Sequence, residues 1–134
     1  MGANDNIKII QAIYEAFGRG DVGFIVENVT DDVDWATDTS VAAAPWYGPH
    51  RGPAGVGDFF QAFGSTMSVQ LFEPLAFAAN DDEVHTVVRI KATRLANGAT
   101  IDMNLHHRFQ FRDGKIAHYR GSEDTAQVAG AFQD

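Results

Sequence analysis

Apolar residues recur at helical spacing near the start of the chain. Ile7, Ile10, Ile13, Tyr14 and Phe17 share one side of a helix that Asn4 or Asp5 can cap and that Gly18-Arg19-Gly20 ends. Asp21 caps a second, shorter helix expected to run to about Val29, with Val22, Ile25, Val26 and Val29 on its buried side. Thr30-Asp31-Asp32 breaks that pattern, and residues 33–38, VDWATD, alternate as a short strand. Residues 39–51, TSVAAAPWYGPHR, show no period and read as a long loop, a feature that often carries function inside a compact domain. Gly52-Pro53 then opens a third helix with Val56, Phe59, Phe60 and Phe63 as its apolar stripe, and Gly64-Ser65 closes it.

From residue 68 the period falls to two. Strands are expected over 68–79, 83–95, 99–112 and 115–123, separated by turns at Asn80-Asp81-Asp82, Ala96-Asn97-Gly98 and Asp113-Gly114. The Asp-Gly pair is the strongest hairpin signal among them. The tail DTAQVAGAFQD is expected to form a short terminal helix. This order reads as α+β: a cone-shaped roll of a curved antiparallel sheet packed against three N-terminal helices, enclosing a pocket at its mouth. The 134 residues suit a single domain over 1–134.

Composition narrows the chemistry. Without cysteine, disulfides, thiolate metal sites and a cysteine nucleophile are excluded, and the cytoplasm is the default compartment. No stretch approaches a membrane span, and the N-terminus lacks the features of a signal peptide, so a soluble, unprocessed protein is expected. The net charge of −8 argues against nucleic acid or an anionic membrane as partner. Seven of the ten basic residues nevertheless fall between Arg89 and Arg120, where the strands are, which reads as a solvated strand face or subunit interface, with a locally basic sheet face as the alternative. The five histidines show no ligand spacing, and Gly52, Gly55 and Gly57 lack the context of a dinucleotide fingerprint, so no metal and no cofactor are implied.

The segments IYEAFGRGDVGFIVENVTDDVDW, YGPHRGPAGVGDFFQAF, HRFQFRDGKIAHY and EDTA resemble the SnoaL-like polyketide cyclase and ketosteroid isomerase-like branch of the nuclear transport factor two superfamily. The resemblance spans nearly the whole chain and implies the cone fold. It implies no single activity, because that superfamily hosts isomerases, cyclases, hydrolases, dehydratases and binders. In isomerase-like members, the strand before the Asp-Gly hairpin carries a protonated acid that holds an oxyanion, and His107 stands at that place. The other two isomerase positions align with Ile13 and Thr37, with Tyr14 and Asp38 each one place off, so that chemistry does not transfer. The cyclase-like pattern implies a pocket histidine and an aspartate at the end of the last strand that removes a proton beside a carbonyl, and His107 and Asp124 match both. Epoxide hydrolase-like members pair that aspartate with an arginine and a second aspartate. This chain has Arg89 but Lys91, which breaks the triad.

These resemblances set the candidate site. His107 is read as a pocket hydrogen-bonder, with a satisfied core histidine as the alternative. Asp124 is read as general base, and equally as the N-cap of the terminal helix with Gln127 at N3. Asp38, at the end of the first strand, is the second candidate base. Tyr14, Phe17, Trp35, Trp46, Phe59, Phe63 and Phe109 are candidates for ligand contact, with core packing as the alternative for Tyr14 and Trp35. Trp46, Tyr47 and His50 read as a lid or rim on the long loop. Arg89 lies outside by alternation and inside by the hydrolase-like alignment, and the residues leave this open. The expected function is a small-molecule-binding domain performing proton transfer next to a carbonyl of an apolar substrate, as an isomerase or cyclase. The rival is a non-catalytic ligand-binding or dimerisation module. A homodimer through the outer sheet face, near His106 and Arg108, is expected.

Overall fold

The computed structural model describes residues 2–134. Helix α1 (Ala3–Gly18) buries Ile10, Ile13, Tyr14 and Ala16 along one side. Its start differs from the expected Asn4 or Asp5 cap. Gly2 is the N-cap, and Asp5 reaches back to accept a hydrogen bond from the Gly2 N–H at 3.3 Å. Helix α2 (Val22–Glu27) is capped by Asp21, whose carboxylate accepts from the Phe24 N–H. It ends earlier than its apolar pattern suggests because Val29 already belongs to strand β1 (Val29–Thr37), whose buried positions fall at Val29, Val33, Trp35 and Thr37. A two-residue strand, β2 (His50–Arg51), emerges from the long loop and pairs with β1, placing His50 opposite Trp35. Helix α3 (Gly52–Gly64) follows with Pro53 in its first turn, where a missing N–H costs nothing.

Strands β3 (Met67–Ala79), β4 (Glu83–Arg94), β5 (Thr100–Arg112) and β6 (Lys115–Ser122) form the meander. The β5–β6 turn has positive φ at both Asp113 (52°) and Gly114 (79°), as a type I′ hairpin requires. Helix α4 (Thr125–Ala131) closes the chain. The six strands make one sheet in the order β2-β1-β6-β5-β4-β3.

The architecture is α+β, a curved sheet closed by helices, but the sheet is mixed rather than purely antiparallel. Strand β1 runs parallel to β6, with Trp35 opposite Tyr119 and Thr37 opposite Gly121. Parallel neighbours need a long crossover, and here α3 and the rest of the meander supply it. The inner sheet face carries Trp35, Thr86, Val88, Phe109 and Tyr119, all buried against α1 and α3. The opposite face is polar. No helix among the described residues is long and apolar enough to cross a membrane.

Candidate functional site

Between the sheet and helices α1 and α3 lies a cavity of about 80 Å³. Its walls are almost wholly aromatic and aliphatic. Phe17 and Phe72 meet with ring centroids 4.9 Å apart, and Phe59 packs edge-on against Phe60 at 5.1 Å. Phe63, Phe109, Trp35 and Trp46 complete the lining named from the sequence. The space is about half of the roughly 150 Å³ that an apolar cavity needs to hold a benzene. A ring-sized ligand therefore requires wall side chains to move, and Phe59, Phe60 and Phe63 are only half-buried.

Strand alternation brings His107 to the inner end of this cavity, two residues from the fully buried Phe109. Its Nδ1 lies 2.7 Å from the Tyr14 hydroxyl, which lies 2.7 Å from Thr86 Oγ1. Thr86 sits directly opposite His107 across the β4–β5 ladder. The proton order in this chain follows from counting donors. Among the described residues Thr86 Oγ1 has no further side-chain partner, so its proton is used only if Thr86 donates to Tyr14 and Tyr14 donates to Nδ1. The imidazole is then the Nε2–H tautomer, with its free N–H on the cavity side. Burial, reinforced by the nearby His106, pulls the His107 pKa down to about 3, so the ring is neutral at physiological pH. Burial also pushes the Tyr14 phenol well above its ordinary value, only partly offset by the bond to Thr86.

Two polar residues missed in the sequence also line the cavity. Tyr119 stacks on Trp35 with centroids 4.0 Å apart and planes 24° apart. Glu123 follows the end of β6 and is half-buried, with one carboxylate oxygen accepting a 2.8 Å hydrogen bond from the Tyr47 hydroxyl. Burial raises the pKa of this carboxyl, and the Tyr47 bond only partly opposes the rise. The signal available was parity: Tyr119, Gly121 and Glu123 share one face of the last strand. Trp35 adds a buried indole N–H with no hydrogen-bond partner among the described residues.

The same parity turns Asp124 outward. It is exposed, absent from the cavity wall, and serves as N-cap of α4, accepting from the Gln127 N–H at 3.2 Å. Its capping role is therefore seen directly. Asp38 also faces out, past the end of β1, with its carboxylate 3.9 Å from Arg120 Nε. Arg89 is on the outer face, paired with Asp102 at 3.0 Å, because its neighbours Val88 and Ile90 take the inner positions. Trp46 differs from the expected rim: it is 2% exposed, packed edge-on against Phe63 and Phe132. Tyr47 remains on the loop, whereas His50 belongs to β2, with its Nε2 3.0 Å from the Trp46 carbonyl oxygen. Among the described residues no group of three or more His, Asp or Glu side chains is placed to hold a metal ion.

Solved structures share this fold over the full length. An NTF2-like protein from Burkholderia xenovorans LB400 superposes with a TM-score of 0.88 at 23% identity over 99% of each chain. TerC, co-crystallized with polyporic acid, gives 0.82 at 22% identity over 97% of this chain and 99% of its own. An epoxide hydrolase-like protein from M. tuberculosis of the LEH type gives 0.73 at 14% identity over 97% and 90%. No curated protein matches the chain. The sequence model of the SnoaL-like domain matches residues 10–119, most of the sheet and the helices that close it, and the chain belongs to the SnoaL-like domain family.

Proposed function

We propose that this chain binds a small, largely apolar carbonyl compound and moves a proton on the carbon beside the carbonyl, with Glu123 as the base. The observation that carries this reading is the position of Glu123, the one carboxyl among the described residues that lines the cavity. A carboxylate held in apolar surroundings is poorly solvated and becomes more basic, which suits it to abstract a weakly acidic C–H. Tyr47 occupies one oxygen, leaving the other to take the proton. As the C–H bond breaks, its electron pair moves into the C–C bond and the carbonyl oxygen becomes an enolate. The free N–H of His107 donates to that oxygen. Return of the proton to another carbon completes an isomerisation; attack of the enolate carbon on a second carbonyl of the same ligand, whose oxygen takes the proton back from Glu123, completes a cyclisation. Such chemistry is cofactor-independent. A fold relative co-crystallized with a small molecule supports ligand capture by a cone of this type.

The test is hydrogen-deuterium exchange at the methyl group of acetophenone in heavy water, followed by proton NMR. Wild-type protein should accelerate exchange, Glu123→Gln should lose about a hundredfold or more of that acceleration, and Asp124→Asn should retain it. Loss in the Asp124 variant with normal exchange in the Glu123 variant would return the base to Asp124. Binding without exchange in the wild type would favour a non-catalytic binding module.

We also propose that the chain forms a homodimer through the outer sheet face. Among the described residues no helix covers that face, and its charges are of both signs, with Arg108 paired to Glu83 and Arg120 to Asp34. A mixed-charge surface of this kind is able to complement its own copy across a two-fold axis.

A further inference from the structure

Tyr119 has a hydroxyl without employment inside the protein. The residue is 5% exposed and lines the cavity, and among the described residues no side-chain hydrogen bond engages its phenol oxygen. Its ring is fixed on both sides, stacked on Trp35 and 5.1 Å from Phe109. Its hydroxyl lies over Gly121, so close that a Cβ at that position would stand 2.3 Å from the oxygen. The same point is 3.5 Å from His107 Cδ2, the ring carbon bonded to Nε2, and the His107 and Tyr119 rings are 5.4 Å apart. Gly121 thus provides the space in which a phenol O–H and an imidazole N–H both come to the inner end of the cavity. A hydroxyl on the cavity wall without a protein partner keeps its proton available for a ligand acceptor.

We propose that Tyr119 is a ligand-binding residue whose hydroxyl acts beside His107 as the second donor to one oxygen of an enolisable carbonyl compound. This rests on the reading of the cavity given above and specifies its substrate class: the compound presents an acceptor oxygen, with no hydrogen of its own, to the inner end. Both donors are neutral. Burial keeps the Tyr119 phenol protonated far above physiological pH, so it stays a donor throughout. When Glu123 takes the proton, the single negative charge of the site passes from its carboxylate to the ligand oxygen. Two neutral donors then stabilise the charge at its new position more than they stabilise the starting carbonyl.

The test uses two probes of nearly equal shape, acetophenone and α-methylstyrene, which differ in having a C=O or a C=CH₂ group. Binding is read by NMR titration of the tryptophan indole protons. Wild-type protein should prefer acetophenone, and Tyr119→Phe should lose about tenfold of that preference while holding α-methylstyrene unchanged. Gly121→Ala should reproduce the loss, because its methyl group displaces the hydroxyl. The double variant should lose no more of the preference than Tyr119→Phe alone. Acetophenone exchange should fall by about a hundredfold in Tyr119→Phe. Equal weakening of both probes, an unchanged preference in either variant, or failure of both probes to bind the wild type would overturn the proposal. The preference is an equilibrium quantity that does not need Glu123, so its failure leaves the Glu123→Gln exchange result standing, and the converse holds.

Discussion

His107 offers the sharpest link between the site and the stability of the fold. Its pKa falls from 6.5 to about 3 in the folded chain, so between those values the unfolded state binds a proton that the native state refuses. Stability therefore falls as the pH drops through that window and is restored above it. At about 1.36 kcal/mol for each unit, the full displacement corresponds to about 4.8 kcal/mol at most; between pH 7 and pH 4 the linked loss is about 3 kcal/mol. The perturbation is His107→Gln, which keeps an acceptor for the Tyr14 hydroxyl and an N–H₂ for the cavity but does not titrate. Urea unfolding followed by tryptophan fluorescence at pH 7, 6, 5 and 4 gives the two stability curves. Wild-type protein should lose about 3 kcal/mol more than the variant over that range. Glu123 works in the opposite sense: its pKa is raised, the native state binds the extra proton, and its contribution improves as the pH falls. That contribution is common to both proteins and cancels in the difference. Curves that fall in parallel to within about 0.5 kcal/mol would show that His107 is not held neutral, and the Nε2–H assignment would fail with it.

Two further outcomes follow from the outward-facing residues. Asp124→Ala should cost about 1 kcal/mol in thermal or urea unfolding through loss of the α4 cap, with acetophenone exchange unaltered; a large loss of exchange at full stability would contradict the capping role. Light scattering at micromolar concentration should give twice the chain mass, and Arg120→Glu, which places like charges together with Asp34 and Asp38, should shift it toward the monomer. A monomer mass for the wild type would refute the outer-face dimer.

The sequence carried most of the fold because local signals agree with tertiary ones over most of its length. The stripe from Ile10 to Phe17, the Gly52-Pro53 start of α3 and the Asp113-Gly114 turn each have one cheap backbone solution. The parity of His107 and Phe109 survived for the same reason: a buried face fixes the register of β5. Other features depend on partners far away in the chain. The early end of α2 reflects pairing of Val29 with Ile116, and the burial of Trp46 depends on Phe63 and Phe132 closing around it. No local period encodes either contact. The proposed base stands one residue from the aspartate that resemblance indicates, for a more instructive reason. Family resemblance points to the aspartate after the last strand, whereas alternation along β6 from Tyr119 through Gly121 brings Glu123 inward and leaves Asp124 where a helix needs a cap. In a strand, one residue separates a cavity wall from solvent.

The arrangement of charge makes chemical sense of the neutral imidazole. The cavity wall has no lysine or arginine among the described residues, and its single ionisable acid is Glu123. Were His107 cationic, it would hold Glu123 ionised by attraction and lower its basicity, weakening the group proposed to remove the proton. It would also need solvation that the surrounding Tyr14, Phe109 and Tyr119 rings do not give. A neutral donor whose Nδ1 is tied to the Tyr14–Thr86 chain avoids both penalties. It leaves the carboxyl basic and still offers an N–H to an oxygen that gains charge as the proton leaves. The hydroxyl chain behind His107 thus does for the imidazole what a buried carboxylate does in sites that need a cation: it sets the tautomer, and here it does so without adding charge.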